Sequence, residues 1–194
     1  MIAAVVLAAG TSSRLGTPKQ LLPYQGRPVL AVVVQNLLNS PLDCVLVVIG
    51  HRAEEVAPAL NGLPVDVVVN GQYATGQASS IKAGLAALGG GVEAALFVLG
   101  DQPLVKPGTI KMLVEGYRTG GGIVAPFYKG RRGNPVLFDR LFFQEMASLE
   151  GDTGAREIIG RHPECFRRID VPDPGVLLDI DTWEDYRRLV DAGE

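Results

Sequence analysis

Three short stretches of this chain carry residue types that act on phosphates. The first is Ala8-Ala9-Gly10-Thr11-Ser12-Ser13-Arg14-Leu15-Gly16-Thr17-Pro18-Lys19-Gln20, which follows an apolar run ending at Leu7. Small residues let backbone N–H groups approach a ligand and form an anion cradle. Arg14 and Lys19 add fixed positive charge beside it. The loop is not a Walker A, because the spacing after Gly10 differs and Gln20 follows the lysine; nor does it read G-x-G-x-x-G. The second stretch is Gly100-Asp101-Gln102-Pro103. A hard cation such as Mg²⁺ is bound through one or two carboxylates plus substrate phosphates, and Asp101 suits that role. The third, Asp179-Ile180-Asp181, supplies a second carboxylate. In extended chain Asp179 and Asp181 point to one face, so one can ligate metal while the other caps the following helix or holds the loop.

Further groups stand at other turns. Gly76-Gln77-Ala78-Ser79-Ser80 opens a helix whose free N–H groups and hydroxyls suit a base edge or a phosphate. The Arg132 guanidinium fork matches phosphate geometry, and a solvated hairpin tip is the other reading. His51 stands alone, no Ser-His-Asp or Cys-His set is evident, and no His/Cys cluster has zinc spacing. The chemistry implied is therefore positioning and charge neutralisation, with no covalent nucleophile.

These residues need a frame. Ile2–Leu7, Cys44–Ile49, Val65–Val69 and Ala94–Leu99 read as strands buried on both faces. Helices are expected at Val29–Leu38, Ala53–Leu60, Gln77–Leu88 and Thr109–Tyr117. The alternation implies βαβ units and a mainly parallel sheet between helix layers, with ligands at the carboxyl ends of the strands. Gly89-Gly90-Gly91 and Gly120-Gly121-Gly122 read as loops after helices. Past Pro126 the pattern loosens. Gly130–Phe138 reads as a hairpin or a strand with a turn, Leu141–Ala147 and Thr153–Ile159 as helices, and Phe166–Val171 and Val176–Leu178 as short strands. Thr182 caps a closing helix to Asp191. Trp183 and Tyr186 read as core residues.

The motif L-A-A-G-x-S-x-R-x-G-x-x-K, continued by Leu21-Leu22-Pro23, resembles the opening signature of nucleotidyltransferases. It is most similar to the molybdenum cofactor cytidylyltransferases and the related MobA-like proteins. Gly100-Asp101-Gln102-Pro103, Arg132-Gly133-Asn134-Pro135-Val136-Leu137-Phe138, Gly151–Arg156 and the D-I-D-T-x-E-D segment from Asp179 extend the resemblance over most of the chain. It implies a three-layer, Rossmann-like (GT-A-like) α/β fold in a single domain, 1–194. About 1–125 would form a nucleotide-binding half and about 126–194 an acceptor-binding half.

The resemblance implies that Leu7, Ala8, Ala9, Gly10, Arg14, Lys19, Gly76, Ser79, Ser80 and Asp101 bind nucleotide. Arg14, Lys19 and Asp101 would be catalytic, and Asp101 with Asp179 would hold Mg²⁺. Arg132, Asn134 and Arg156, or the helix start at Thr153, would take the acceptor; related proteins often carry His where this chain has Asn134. Ala-Ala-Gly at 8–10 goes with cytidine in the family. The implied reaction transfers CMP from CTP to the phosphate of molybdopterin cofactor. Another phosphorylated acceptor, such as a sugar or alcohol phosphate, is the alternative. So is a non-catalytic carrier that hands nucleotide or cofactor to a molybdoenzyme or its chaperone.

Bulk properties agree. At 194 residues with 47% hydrophobic and 20% charged residues, the chain supports one globular core. A net charge of −3 argues against a nucleic-acid partner. No long apolar span or leader is evident, so no membrane role and a cytoplasmic location are expected. Cys44 and Cys165 are expected to stay reduced.

Overall fold

The computed structural model describes residues 1–152 and 154–191. The elements in chain order are β1 (Ile2–Ala8), β2 (Pro23–Tyr24), β3 (Arg27–Pro28), α1 (Val29–Leu38), β4 (Cys44–Ile49), α2 (Ala53–Val56), β5 (Asp66–Val69), α3 (Gln77–Ala87), β6 (Ala94–Leu99) and α4 (Pro107–Arg118). There follow β7 (Ile123–Tyr128), β8 (Arg131–Arg132), β9 (Val136–Asp139), α5 (Phe143–Met146), α6 (Arg156–Arg161), β10 (Phe166–Asp170) and α7 (Trp183–Asp191).

The main sheet runs β10-β7-β9-β6-β1-β4-β5, with β8 paired to β7. The strands β5, β4, β1 and β6 are parallel neighbours, and β9 enters antiparallel between β6 and β7. Alternate residues of each strand feed opposite faces. Ala4, Val6, Val47 and Leu96 pack with α1 and α4 residues such as Leu30, Val34 and Leu113. Val5, Val48 and Phe97 pack with Ile81 of α3, Met146 of α5 and Ile158 of α6. The result is a helix–sheet–helix sandwich, as the alternating pattern requires.

Four readings of the sequence are corrected. The β5 strand is not buried on both faces: it is the sheet edge, with Val67 42% and Val69 62% exposed. Val176–Leu178 is not a strand. Pro174–Leu177 forms a 3₁₀ turn, because the Asp173 carboxylate takes the Gly175 N–H and the Val176 carbonyl takes the Asn134 N–H. The sixth helix begins at Arg156; Thr153, read as its start and as a phosphate contact, lies outside the described residues. Trp183 is 43% exposed and packs edge-on to Tyr186 instead of entering the core. The Gly130–Phe138 stretch resolves into β8, which hairpins back onto β7, and β9. Both cysteines are free, and among the described residues no helix is long and apolar enough to cross a membrane.

Candidate active site

The carboxyl ends of β1 and β6 are neighbours, paired Leu7 to Leu99. The loop after β1 and Asp101 after β6 therefore start side by side. The loop is pinned in three ways. Gln20 Nε2 donates to the Ala8 carbonyl at 2.8 Å, the Lys19 N–H donates to Ser12 Oγ at 3.1 Å, and Leu15 is buried against Ile180 and Leu189. This last contact brings the Asp179–Asp181 segment, about 160 residues away in sequence, onto the same loop.

The acidic segment is clamped from behind. Asp173, 2% exposed, accepts from the Lys106 N–H (3.0 Å), Thr109 Oγ1 (2.6 Å) and the Gly175 N–H (3.0 Å). Gly175 passes so close to Leu104 that a Cβ would lie 2.4 Å from the Leu104 carbonyl oxygen, so only glycine fits. Downstream, Thr182 and Asp185 cap α7 reciprocally: the Thr182 N–H donates to Asp185 Oδ2 (2.8 Å) and the Asp185 N–H to Thr182 Oγ1 (3.2 Å). The Thr182 hydroxyl, which also donates to Asp185 Oδ2 at 2.7 Å, and after it the Thr182 N–H hold the Asp185 carboxyl below its usual range.

Asp101, Asp179 and Asp181 each offer an oxygen within 4.8 Å of the others. Lys19 Nζ sits 2.5 Å from Asp101 Oδ2 and 2.9 Å from Asp181 Oδ1, and Arg14 Nη1 is 3.3 Å from Asp181 Oδ2. Burial pushes the Asp101 carboxyl up; Lys19 opposes this, and the Asp179 and Asp181 charges add to it. Burial alone would lower the Lys19 ammonium, but Asp101 and Asp181 outweigh it and hold its pKa above the usual lysine value. The donor set is three carboxylates, hard anionic oxygens that fit a divalent cation of the Mg²⁺ or Mn²⁺ type.

Two cavities meet here. One, of about 420 Å³, is lined by Ala9, Gly10, Lys19, Gly76, Ser80 and Asp101 among others. The second, of about 590 Å³, has an apolar floor including Ile81, Phe97 and Val136, and a rim carrying Arg132, Asn134 and Arg156. Leu7, Gln77, Leu99, Asp152 and Asp179 line both. The Arg132 guanidinium pKa is pushed down, first by burial and then by the Arg156 charge; an anion between the two would relieve both effects.

Most of the sequence-read residues thus fall on one of the two walls. Ala8, Ser79 and Arg14 line neither cavity: Ala8 offers its carbonyl to Gln20, the Ser79 hydroxyl donates to the Gly76 carbonyl at 2.8 Å, and Arg14 reaches the site through Asp181. Gly76 holds φ 110°, and a Cβ there would lie 2.3 Å from the Gly151 carbonyl, so the loop before Arg156 seats directly on the α3 start. Asn70, buried at the end of β5, donates to both Ser79 Oγ (2.8 Å) and Ser80 Oγ (3.1 Å). Sequence reading assigned no role to Asn70, Gln77, Asp152 or Asp173. Only a carboxamide at a strand end hints at Asn70. His51 approaches the Tyr73 hydroxyl at 3.4 Å, away from the carboxylates' hydrogen bonds.

A glycine-bearing loop carrying Arg14 and Lys19 lies beside a carboxylate cluster at the carboxyl edge of a parallel sheet, where α/β proteins place their ligands. The chain belongs to the MobA-like NTP transferase family, whose model matches residues 4–165. It is 34% identical to nicotine blue oxidoreductase of Paenarthrobacter nicotinovorans over 97% of this chain and 96% of that protein. It is 26% identical to molybdenum cofactor cytidylyltransferase of Escherichia coli K12 over 94% and 92%. Its structure resembles that of Rv0371c from Mycobacterium tuberculosis H37Rv, with TM-score 0.88, 38% identity and 98% and 97% coverage. That protein is also known as a manganese complex, at TM-score 0.85, 35% identity and 98% coverage of both chains.

Proposed function

We propose that this chain is a cytidylyltransferase that transfers CMP from CTP to the phosphate of a molybdopterin-type acceptor. The observation that carries this reading is Asp179 on the shared wall of two cavities, clustered with Asp101 near Lys19 in the first and lining the second together with Arg132 and Arg156. Residues 1–125 supply the nucleotide side and 126–194 most of the acceptor side. The Gly10 loop, Arg14 and Lys19 take the triphosphate; Gly76 and Ser80 face the nucleoside. An acceptor phosphate oxygen held by Arg132 and Arg156 bonds to the α-phosphorus as the bond to the β-phosphate oxygen breaks, and pyrophosphate leaves. Asp101 and Asp179 would hold Mg²⁺, which supplies neutralisation of phosphate charge. Positioning of this kind is the main catalytic lever in phosphoryl chemistry.

The second cavity supports the acceptor class. Its apolar floor and paired arginines suit a ring system bearing a phosphate, and its volume lies within the range of small-molecule sites. The cytidine choice rests on Ala8-Ala9-Gly10 and on the Escherichia coli relative. A nucleoside triphosphate and a phosphorylated cofactor are metabolites of the cytoplasm, which is the proposed location, and a molybdoenzyme or its chaperone is the proposed recipient.

The test is pyrophosphate release on mixing the protein with Mg²⁺, molybdopterin cofactor and each of CTP, GTP, ATP and UTP, with calorimetry of each nucleotide alongside. Release with CTP in preference to the others supports the proposal. Binding of nucleotide without release identifies a carrier. Release only with a sugar or alcohol phosphate moves the acceptor assignment.

A further inference from the structure

We propose that Lys19 is the resident counter-cation of the carboxylate cluster, so that divalent metal and nucleotide bind as a coupled pair and metal alone binds weakly. The proposal rests on the reading of Asp101 and Asp179 as the metal ligands of a nucleotidyltransferase. Lys19 Nζ takes one oxygen of Asp101 (2.5 Å) and one of Asp181 (2.9 Å), and Arg14 takes the other Asp181 oxygen (3.3 Å). Two of the three carboxylates thus already carry cationic partners, while Asp179 has no salt bridge among the described residues. A divalent ion entering the cluster meets a lysine ammonium within a few ångströms, in a wall where Asp101 is 6% exposed. Like charges at that distance repel, most beside buried Asp101 and less toward exposed Asp179 and Asp181, where solvent screens them.

Lys19 is also tethered. Its side chain is 17% exposed, and its backbone N–H is held by Ser12 Oγ at 3.1 Å. The ammonium thus sits in the wall of the cavity that Lys19 lines with Gly10 and Thr11. That cavity is where the first-loop backbone would hold a triphosphate. A triphosphate placed there offers Lys19 and Arg14 new anionic partners and frees the Asp101 and Asp181 oxygens. Nucleotide then raises the affinity for metal, and by linkage metal raises the affinity for nucleotide by the same factor. The same swap keeps the cluster partly compensated at each stage, since two monocations or one divalent ion oppose the three carboxylates, so neither three bare carboxylates nor an unpaired buried lysine arises.

The experiment is a Mn²⁺ titration of the full chain followed by electron paramagnetic resonance, without nucleotide, for the wild type, Lys19→Met and Arg14→Met. Methionine keeps the apolar stem and removes the charge. Lys19→Met is expected to bind Mn²⁺ alone about tenfold or more tightly than the wild type, within the range usual for coupled sites. Arg14→Met is expected to gain about two- to threefold, because the Arg14 side chain is 70% exposed and solvent screens its charge. Equal or weaker Mn²⁺ binding in a folded Lys19→Met overturns the proposal. If that variant does not fold, Arg14→Met decides, and an unchanged affinity overturns it. A wild type that takes up no Mn²⁺ even with CTP present sinks the nucleotidyltransferase reading itself. A wild type that binds Mn²⁺ with CTP, next to a Lys19→Met that gains nothing, removes only this inference.

Discussion

Asp173 gives the sharpest test of how the acidic segment is held. Its carboxylate is 2% exposed and is the acceptor for three donors, the Lys106 N–H, the Thr109 hydroxyl and the Gly175 N–H. The α4 helix has no side-chain cap from its own N-cap residue, Lys106, and Asp173 fixes the helix start from a distance through the Lys106 N–H and the Thr109 hydroxyl. Hydrogen bonds to a charged acceptor contribute about 1.5–3 kcal/mol each, and the values are not additive when the donors share one group. Allowing for water entering the space, Asp173→Ala should destabilise the fold by about 4 kcal/mol. At about 2–4 °C per kcal/mol for a domain of this size, the midpoint should fall by about 8–16 °C. Asp173→Asn keeps one acceptor but turns an NH₂ toward a donor, and should lose about half as much. Thermal unfolding by circular dichroism reads both. The same samples should be titrated with Mn²⁺ and CTP, because the segment that Asp173 anchors leads directly into Asp179. A midpoint for Asp173→Ala within about 2 °C of wild type would refute the ledger. A lowered midpoint with unchanged metal uptake would refute the claim that this clamp positions Asp179.

Two further outcomes follow from the geometry. On the proposed acceptor role, Arg132→Met would remove a charge-assisted contact of about 1.5–3 kcal/mol to the acceptor phosphate, so the acceptor KM should rise about 10- to 100-fold while nucleotide affinity by calorimetry stays unchanged; an acceptor KM that does not move would remove Arg132 from the acceptor site. His162 ties α6 to α5 through Nε2 and Glu145 Oε2 at 2.7 Å, and that hydrogen bond, with the Glu145 and Glu164 charges, raises its pKa above 6.5. A raised histidine pKa stabilises below its unfolded value, and the benefit is lost as pH rises through the folded value. Wild type should therefore melt above His162→Gln at pH 5.5, with the gap closing by about pH 9; a gap that is flat with pH would rule the pairing out.

The centre of the sheet was legible because its strands leave one solution open. Cys44–Ile49, Ala94–Leu99 and Val29–Leu38 carry the observed boundaries in their composition, since Val- and Leu-rich runs must be covered on both faces or fold as helix. The β5 strand reads the same way, yet lies at the edge, because an apolar run does not encode how many neighbours it has. Val176–Leu178 misleads for a related reason: its carbonyl partner, the Asn134 N–H, is about 40 residues away. Asp101 and the Asp179–Asp181 pair stood out as carboxylates where packing has no use for them. Asp173, by contrast, sits in a Pro-Asp-Pro-Gly context that reads as an ordinary turn, and only the fold shows it reaching α4.

What joins the site's parts is apolar. In the first loop, buried Leu15 follows exposed Arg14; in the last, buried Ile180 separates exposed Asp179 and Asp181. Leu15 and Ile180 belong to one cluster with Leu22, Tyr24, Val29 and Leu189. Each segment thus turns an aliphatic side chain inward and so directs its neighbouring charges outward, into the same cleft. The carboxylates repel one another, and Asp101 resists ionisation in its buried position, so electrostatics alone would spread this arrangement apart. The burial of two aliphatic side chains, at about 1.5–3 kcal/mol apiece, opposes that spreading, and the Lys19 and Arg14 pairs complete it. The polar chemistry therefore depends on a hydrophobic contact between two segments far apart in sequence: alternation around Ile180 turns the acidic pair toward the cleft, and the Asp181 hydrogen bonds to Lys19 and Arg14 hold it there.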